Sequence, residues 1–95
     1  MENLKIEVLR ILCEDETIIM TQHVLDRCQR CGIKYDDVKH AIMSGEIIEH
    51  YPDAYPYPAC LIFAELPSDK IIHAVIGLGS GELWIVTAYY PTLAK

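Results

Sequence analysis

Positive charge is scarce in this chain. Three arginines and five lysines face fourteen acidic residues, giving a formal net charge of −6 over 95 residues. Such a balance argues against broad, sequence-independent nucleic-acid binding, which depends on neutralising phosphates. It leaves room for a local basic pocket or a basic protein partner. Long apolar runs are also missing. No stretch approaches the roughly 20 residues that a membrane-spanning helix needs. Glu2, Lys5, Glu7 and Arg10 interrupt the opening segment, so it does not read as a signal peptide. A cytoplasmic chain without a membrane partner is expected.

Metal and phosphate-loop signatures are thin. The cysteines at 13, 28, 31 and 60 read as thiols of a reducing compartment rather than as a disulfide frame. Cys28-x-x-Cys31 has no second C-x-x-C or H-x-x-H to complete a zinc site. Both thiols fall on an apolar stripe with Val24, where core packing is expected. Gly77-x-Gly79-x-Gly81 lies between a strand and a turn, with no helix after it to bind phosphate. No cofactor and no metal are expected. No internal repeat or low-complexity tract is present.

Apolar residues are plentiful. They make up 52% of the chain, ample for one core in a domain of this length. Leu4, Val8, Ile11 and Leu12 repeat with helical spacing and predict an amphipathic helix over 2–13. The acids at 14–16 oppose its dipole and should stop it. Thr17 to Met20 reads as a small strand or an extended connector. Thr21 is a candidate N-cap and Gly32 a candidate C′ residue for a second helix. A third helix opens at Asp36 or Asp37 and ends at Gly45. Glu46–Tyr51, Cys60–Leu66, Ile71–Leu78 and Leu83–Tyr90 read as strands, with turns at 67–69 and 79–81. Helices followed by a meander predict an α+β fold, with the helices on one face of a three- to four-stranded antiparallel sheet.

The segment Thr21–Ile33 carries the chemistry that stands out. His23, Arg27 and Arg30 lie at i, i+4 and i+7, on one helical stripe. Guanidinium groups hold phosphate or carboxylate through paired hydrogen bonds. A structural alternative is pairing of Arg30 with Asp26, and of Arg27 with the acids at 14–16. His73 interrupts an apolar strand and can act as acid or base near neutral pH. A satisfied core or edge histidine is the alternative. Tyr89 closes the last strand, where a tyrosine can donate a proton or hold a phosphate. Strict alternation puts Thr87 and Tyr89 on one face with Leu83 and Ile85, and Trp84, Val86, Ala88 and Tyr90 on the other. A two-residue loop at Ser80-Gly81 pairs His73 with Ala88; a three-residue loop pairs it with Thr87. The loop from Tyr51 to Pro58 is rich in tyrosine and proline. Its rings either stack on a ligand or pack over the core.

These elements together resemble a group of small bacterial domains placed with the RelE/ParE and BrnT-like toxin superfamily. The resemblance runs through Thr21-Gln22-His23, Arg27, Arg30, Gly32-Ile33, Val38 to Ile48, Tyr51, Pro58, His73-Ala74-Val75 and Val86 to Pro91. It covers residues 17–92, leaves 1–16 as an added N-terminal helix, and makes 1–95 a single domain. It implies a RelE/ParE-toxin-like fold with a concave sheet face opposite the helices. It also implies a metal-independent endoribonuclease whose catalytic residues are His23, Arg27, Arg30, His73 and Tyr89. RNA or the ribosome would be its target and an antitoxin-like protein its partner. The acidic charge, the apolar sheet faces and the aromatic loop keep a second expectation open: a non-catalytic interaction or homodimerisation domain.

Overall fold

A computed structural model describes residues 4–91. Three helices, α1 (Ile6–Glu14), α2 (Gln22–Cys31) and α3 (Tyr35–Ser44), lie on one face of a single sheet. Its strands are β1 (Ile18–Met20), β2 (Glu46–Tyr51), β3 (Ala59–Glu65), β4 (Ile71–Gly79) and β5 (Glu82–Tyr89). Their spatial order is β1-β5-β4-β3-β2. The fold is α+β, but the sheet has five strands and is mixed rather than three- to four-stranded and antiparallel. The difference is Ile18–Met20, which runs parallel to β5, with Ile18 opposite Leu83 and Met20 opposite Ile85. Three β-branched or flexible apolar residues are too few for a periodic signal, and the partner lies over sixty positions away.

The core forms where the helix stripes meet the even positions of β3 and β4. Leu9 and Cys13 from α1, Val24 and Cys28 from α2, and Val38, Ala41 and Ile42 from α3 pack on Cys60, Ile62, Ile72 and Ile76. Full burial of each large aliphatic side chain contributes about 1.5–3 kcal/mol. Arg10 reaches from α1 to donate to the carbonyls of Ile42 (3.1 Å) and Gly45 (2.8 Å). It thereby satisfies acceptors left open at the end of α3. Gly45 is required there. A Cβ would meet the backbone oxygens of Ala41 and Phe63.

Both caps of α2 stand where the residue types place them. Thr21 accepts from the N–H of Val24, and Gly32 closes the helix at φ 75°. α3 begins at Tyr35, one residue before the expected aspartates, because Asp37 accepts from the N–H of Lys34 at 3.0 Å. Cys31 is exposed, not packed in the core as its stripe suggested; only Cys28 of that pair is buried.

Candidate functional site

The open face of the sheet is organised by two irregularities. Ser80 and Gly81 both take positive φ, 56° and 73°, and form the two-residue hairpin loop between β4 and β5. From there Gly79 pairs with Glu82, Gly77 with Trp84 and Ile76 with Ile85. The register then slips: Val75 pairs with Thr87 and His73 with Tyr89. Val86 is the extra residue of a β-bulge and stays exposed. The slip corrects both sequence readings of the register, which gave Ala88 or Thr87 opposite His73. It also inverts the alternation of β5. Leu83, Ile85 and Ala88 face the helices, whereas Trp84, Thr87 and Tyr89 face away from them. A second slip, at Ile48, sets Glu49 and Tyr51 on that same open face, opposite Leu61 and Ala59.

His73 is therefore half-buried on the open face, between two aromatic rings. Phe63 on β3 meets it edge-on at 5.9 Å, and Tyr89 on β5 at 5.5 Å. Its Nδ1 lies 3.4 Å from the Tyr89 hydroxyl. Three strands thus fix one imidazole, and its Nε2 has no hydrogen-bond partner among the described residues.

Beside this pair lies a cavity of about 260 Å³. Its floor follows from one cross-strand row, Tyr51–Ala59–Gly77–Trp84. Two small residues between two large ring systems leave a hollow. The tyrosine-proline loop folds back over it. Tyr57 packs against Trp84 with ring centres 5.6 Å apart, and its hydroxyl lies 3.3 Å from Ser80 Oγ. Tyr55 also lines the cavity, yet its side chain is 96% exposed. The wall toward the helices is Thr21, His23 and Val24.

The cationic stripe of α2 is divided by this geometry. His23 reaches the cavity wall. Arg27 and Arg30 are exposed and outside that wall. Neither makes an ion pair or hydrogen bond among the described residues. Asp26, the expected partner of Arg30, instead accepts from Gln22 at 2.9 Å. Glu16 pairs with Lys39 at 3.5 Å rather than with Arg27. α2 runs alongside β5: its start faces Ile85 and Val86 across the cavity, and Tyr90 donates to the Gly32 carbonyl at its end (3.4 Å). The structure thus joins His73 to Tyr89 directly and brings His23 to the neighbouring cavity. Arg27 and Arg30 lie outside the cavity lining and bond to neither histidine.

Glu49 accepts from the Tyr51 hydroxyl, and this bond to a carboxylate pushes the phenol up to about 12. Tyr51 therefore keeps its proton throughout the neutral range. Burial raises the Cys13 and Cys28 thiols, and desolvation raises the Tyr90 phenol. Among the described residues, no three His, Cys, Asp or Glu side chains are grouped to hold a metal ion. No described helix is long and apolar enough to cross a membrane.

Sequence reasoning gave no role to Trp84, Gly77 and Glu49. The small residues at 59 and 77 carry a signal only once their strands are paired. No curated protein matches the chain. A family model described as a domain of unknown function, DUF4258, matches residues 20–90, from the end of β1 to the residue after β5. The match spans most of the chain, which therefore belongs to the DUF4258 family.

Proposed function

We propose that this domain is a metal-independent endoribonuclease of the RelE/ParE and BrnT-like toxin type, working on the open sheet face. The observation that supports it most is the His73–Tyr89 pair on a face that the helices leave uncovered. In the tautomer with Nδ1–H donating to Tyr89, Nε2 is free to accept a proton. It takes that proton from an RNA 2′-hydroxyl as O2′ attacks the adjacent phosphorus. The Nδ1 proton passes to the Tyr89 oxygen, and the Tyr89 proton passes to the departing 5′-oxygen. One P–O bond forms and one breaks, leaving a 2′,3′-cyclic phosphate and a 5′-hydroxyl. The separation is 3.4 Å, and catalytic hydrogen bonds of this length commonly tighten in the reacting complex. Arg27, without a carboxylate partner among the described residues, neutralises charge on the phosphate, and Arg30 holds a neighbouring one.

RNA incubated with the purified chain in excess chelator tests this reading. Fragments ending in 2′,3′-cyclic phosphate are expected by mass spectrometry. Intact RNA, both free and on ribosomes, contradicts it. A toxin of this type would be held by an antitoxin-like partner.

A second reading has its own support. Val8 and Ile11 on α1 are 41% and 59% exposed, an apolar strip suited to a non-catalytic interaction or homodimerisation domain. It predicts a dimer or complex that survives His73→Ala, measured by sedimentation.

A further inference from the structure

We infer that the cavity beside His73 is a nucleobase-binding subsite. The ligand class rests on the RNA-cleaving reading above; the place rests on the cavity alone. Tyr51, Tyr55, Tyr57 and Trp84 bring four aromatic side chains to its lining. Trp84 is held in one orientation by its Nε1–H, which donates to the Gly79 carbonyl at 3.2 Å. Tyr57 braces it from the loop. Tyr55 also lines the cavity and is 96% exposed, a large ring left in water. A planar heterocycle entering between these rings gains stacking on preset surfaces and covers Tyr55.

Besides the tyrosine hydroxyls, the polar side chains of the lining come from the start of α2. The Thr21 hydroxyl accepts from the N–H of Val24 and keeps its own proton for donation. The His23 imidazole is beside it. An apolar slot with a few convergent polar groups is how a small planar ligand is oriented. The distance to the reaction centre also fits. Val75 lines the cavity, and His73 is the next residue on that face of β4. Same-face neighbours on a strand stand about 7 Å apart. A ribose and its phosphate bridge that gap, so a base in the slot delivers its own phosphodiester to His73. The net charge of −6 makes stacking, rather than phosphate attraction, the main source of affinity.

The chain holds a single tryptophan, Trp84, so its fluorescence reports on the cavity directly. The full chain is titrated separately with adenosine, guanosine, cytidine, uridine and N-acetylphenylalaninamide. Saturable quenching is expected with at least one nucleoside. Tyr55→Ala, which removes an exposed ring, weakens that binding about five-fold or more. Gly77→Val fills the floor and abolishes it. A Cβ at Gly77 meets Pro58 O at 3.6 Å and Trp84 Cβ at 3.8 Å, ordinary contacts for that atom, and circular dichroism checks that the chain stays folded with the larger valine. No response to any nucleoside overturns the inference. So does unchanged affinity in both variants, or a response to the phenylalanine amide alone. Nucleosides carry no phosphate, so the titration is blind to cleavage. A chain that binds a nucleoside yet leaves RNA intact keeps this subsite and loses the nuclease; one that cuts RNA without binding does the reverse.

Discussion

His73 lies opposite Tyr89 because Val86 lies opposite nothing. Removing a bulge residue regularises a ladder without moving its partners. Deletion of Val86 should therefore give a folded chain in which the rings of His73 and Tyr89 still touch. Nuclear Overhauser contacts between the two rings check this. Their loss, with the slip kept and Tyr90 brought opposite His73, would show that Val86 is not what breaks the register.

The braced wall of the cavity depends on a missing side chain. A Cβ at Gly79 would run into the Tyr57 ring. Gly79→Ala should lift Tyr57 from Trp84, shift its emission to the red and cost about 1–3 kcal/mol in urea unfolding. An unshifted spectrum with unchanged stability would mean that Tyr57 does not brace the indole.

The chain's strong points in sequence were local. Thr21 and Gly32 bound α2, because a hydroxyl that caps and a residue free to take positive φ act within their own helix end. Gly45 likewise marks the end of α3. Three of the four strands read from the sequence needed only small shifts of their ends. What stayed illegible depends on partners far along the chain. β1 is a strand only because β5 lies beside it. Strict alternation failed on β5, since one unpaired residue reverses every side chain after it. The resemblance named His73 and Tyr89 separately; with Val86 in the chain, the slip at that residue sets them opposite each other. The cavity needed four strands in register before Ala59 and Gly77 became a hollow.

Burial drives the Cys60 thiol to about 11, against an ordinary value of 9.0. The folded chain then keeps a proton that the unfolded chain loses. Stability linked to Cys60 is whole below pH 9.0 and falls as pH rises toward about 11. Cys60→Ala should flatten that alkaline decline in denaturant melts while lowering stability at neutral pH by about 1 kcal/mol. Parallel curves for the two proteins would place the thiol in contact with water.

Two guanidinium groups without ion pairs among the described residues limit how much RNA binding can owe to phosphates. With Arg27 and Arg30 each neutralising one, the logarithm of affinity for single-stranded RNA should fall with the logarithm of salt at a slope of about −1.4. Anisotropy of a labelled oligonucleotide measures it. A slope several times steeper would put the phosphate contacts elsewhere and remove stacking as the main attraction.

The most direct measurement is the cleavage rate of one RNA by the wild-type chain, His73→Ala and Tyr89→Phe, each shown to be folded by circular dichroism. The account predicts that wild type cuts in chelator and that each substitution slows it by about 10²–10⁴-fold. Wild-type rates in both variants, or RNA left whole by the wild-type chain, would contradict it.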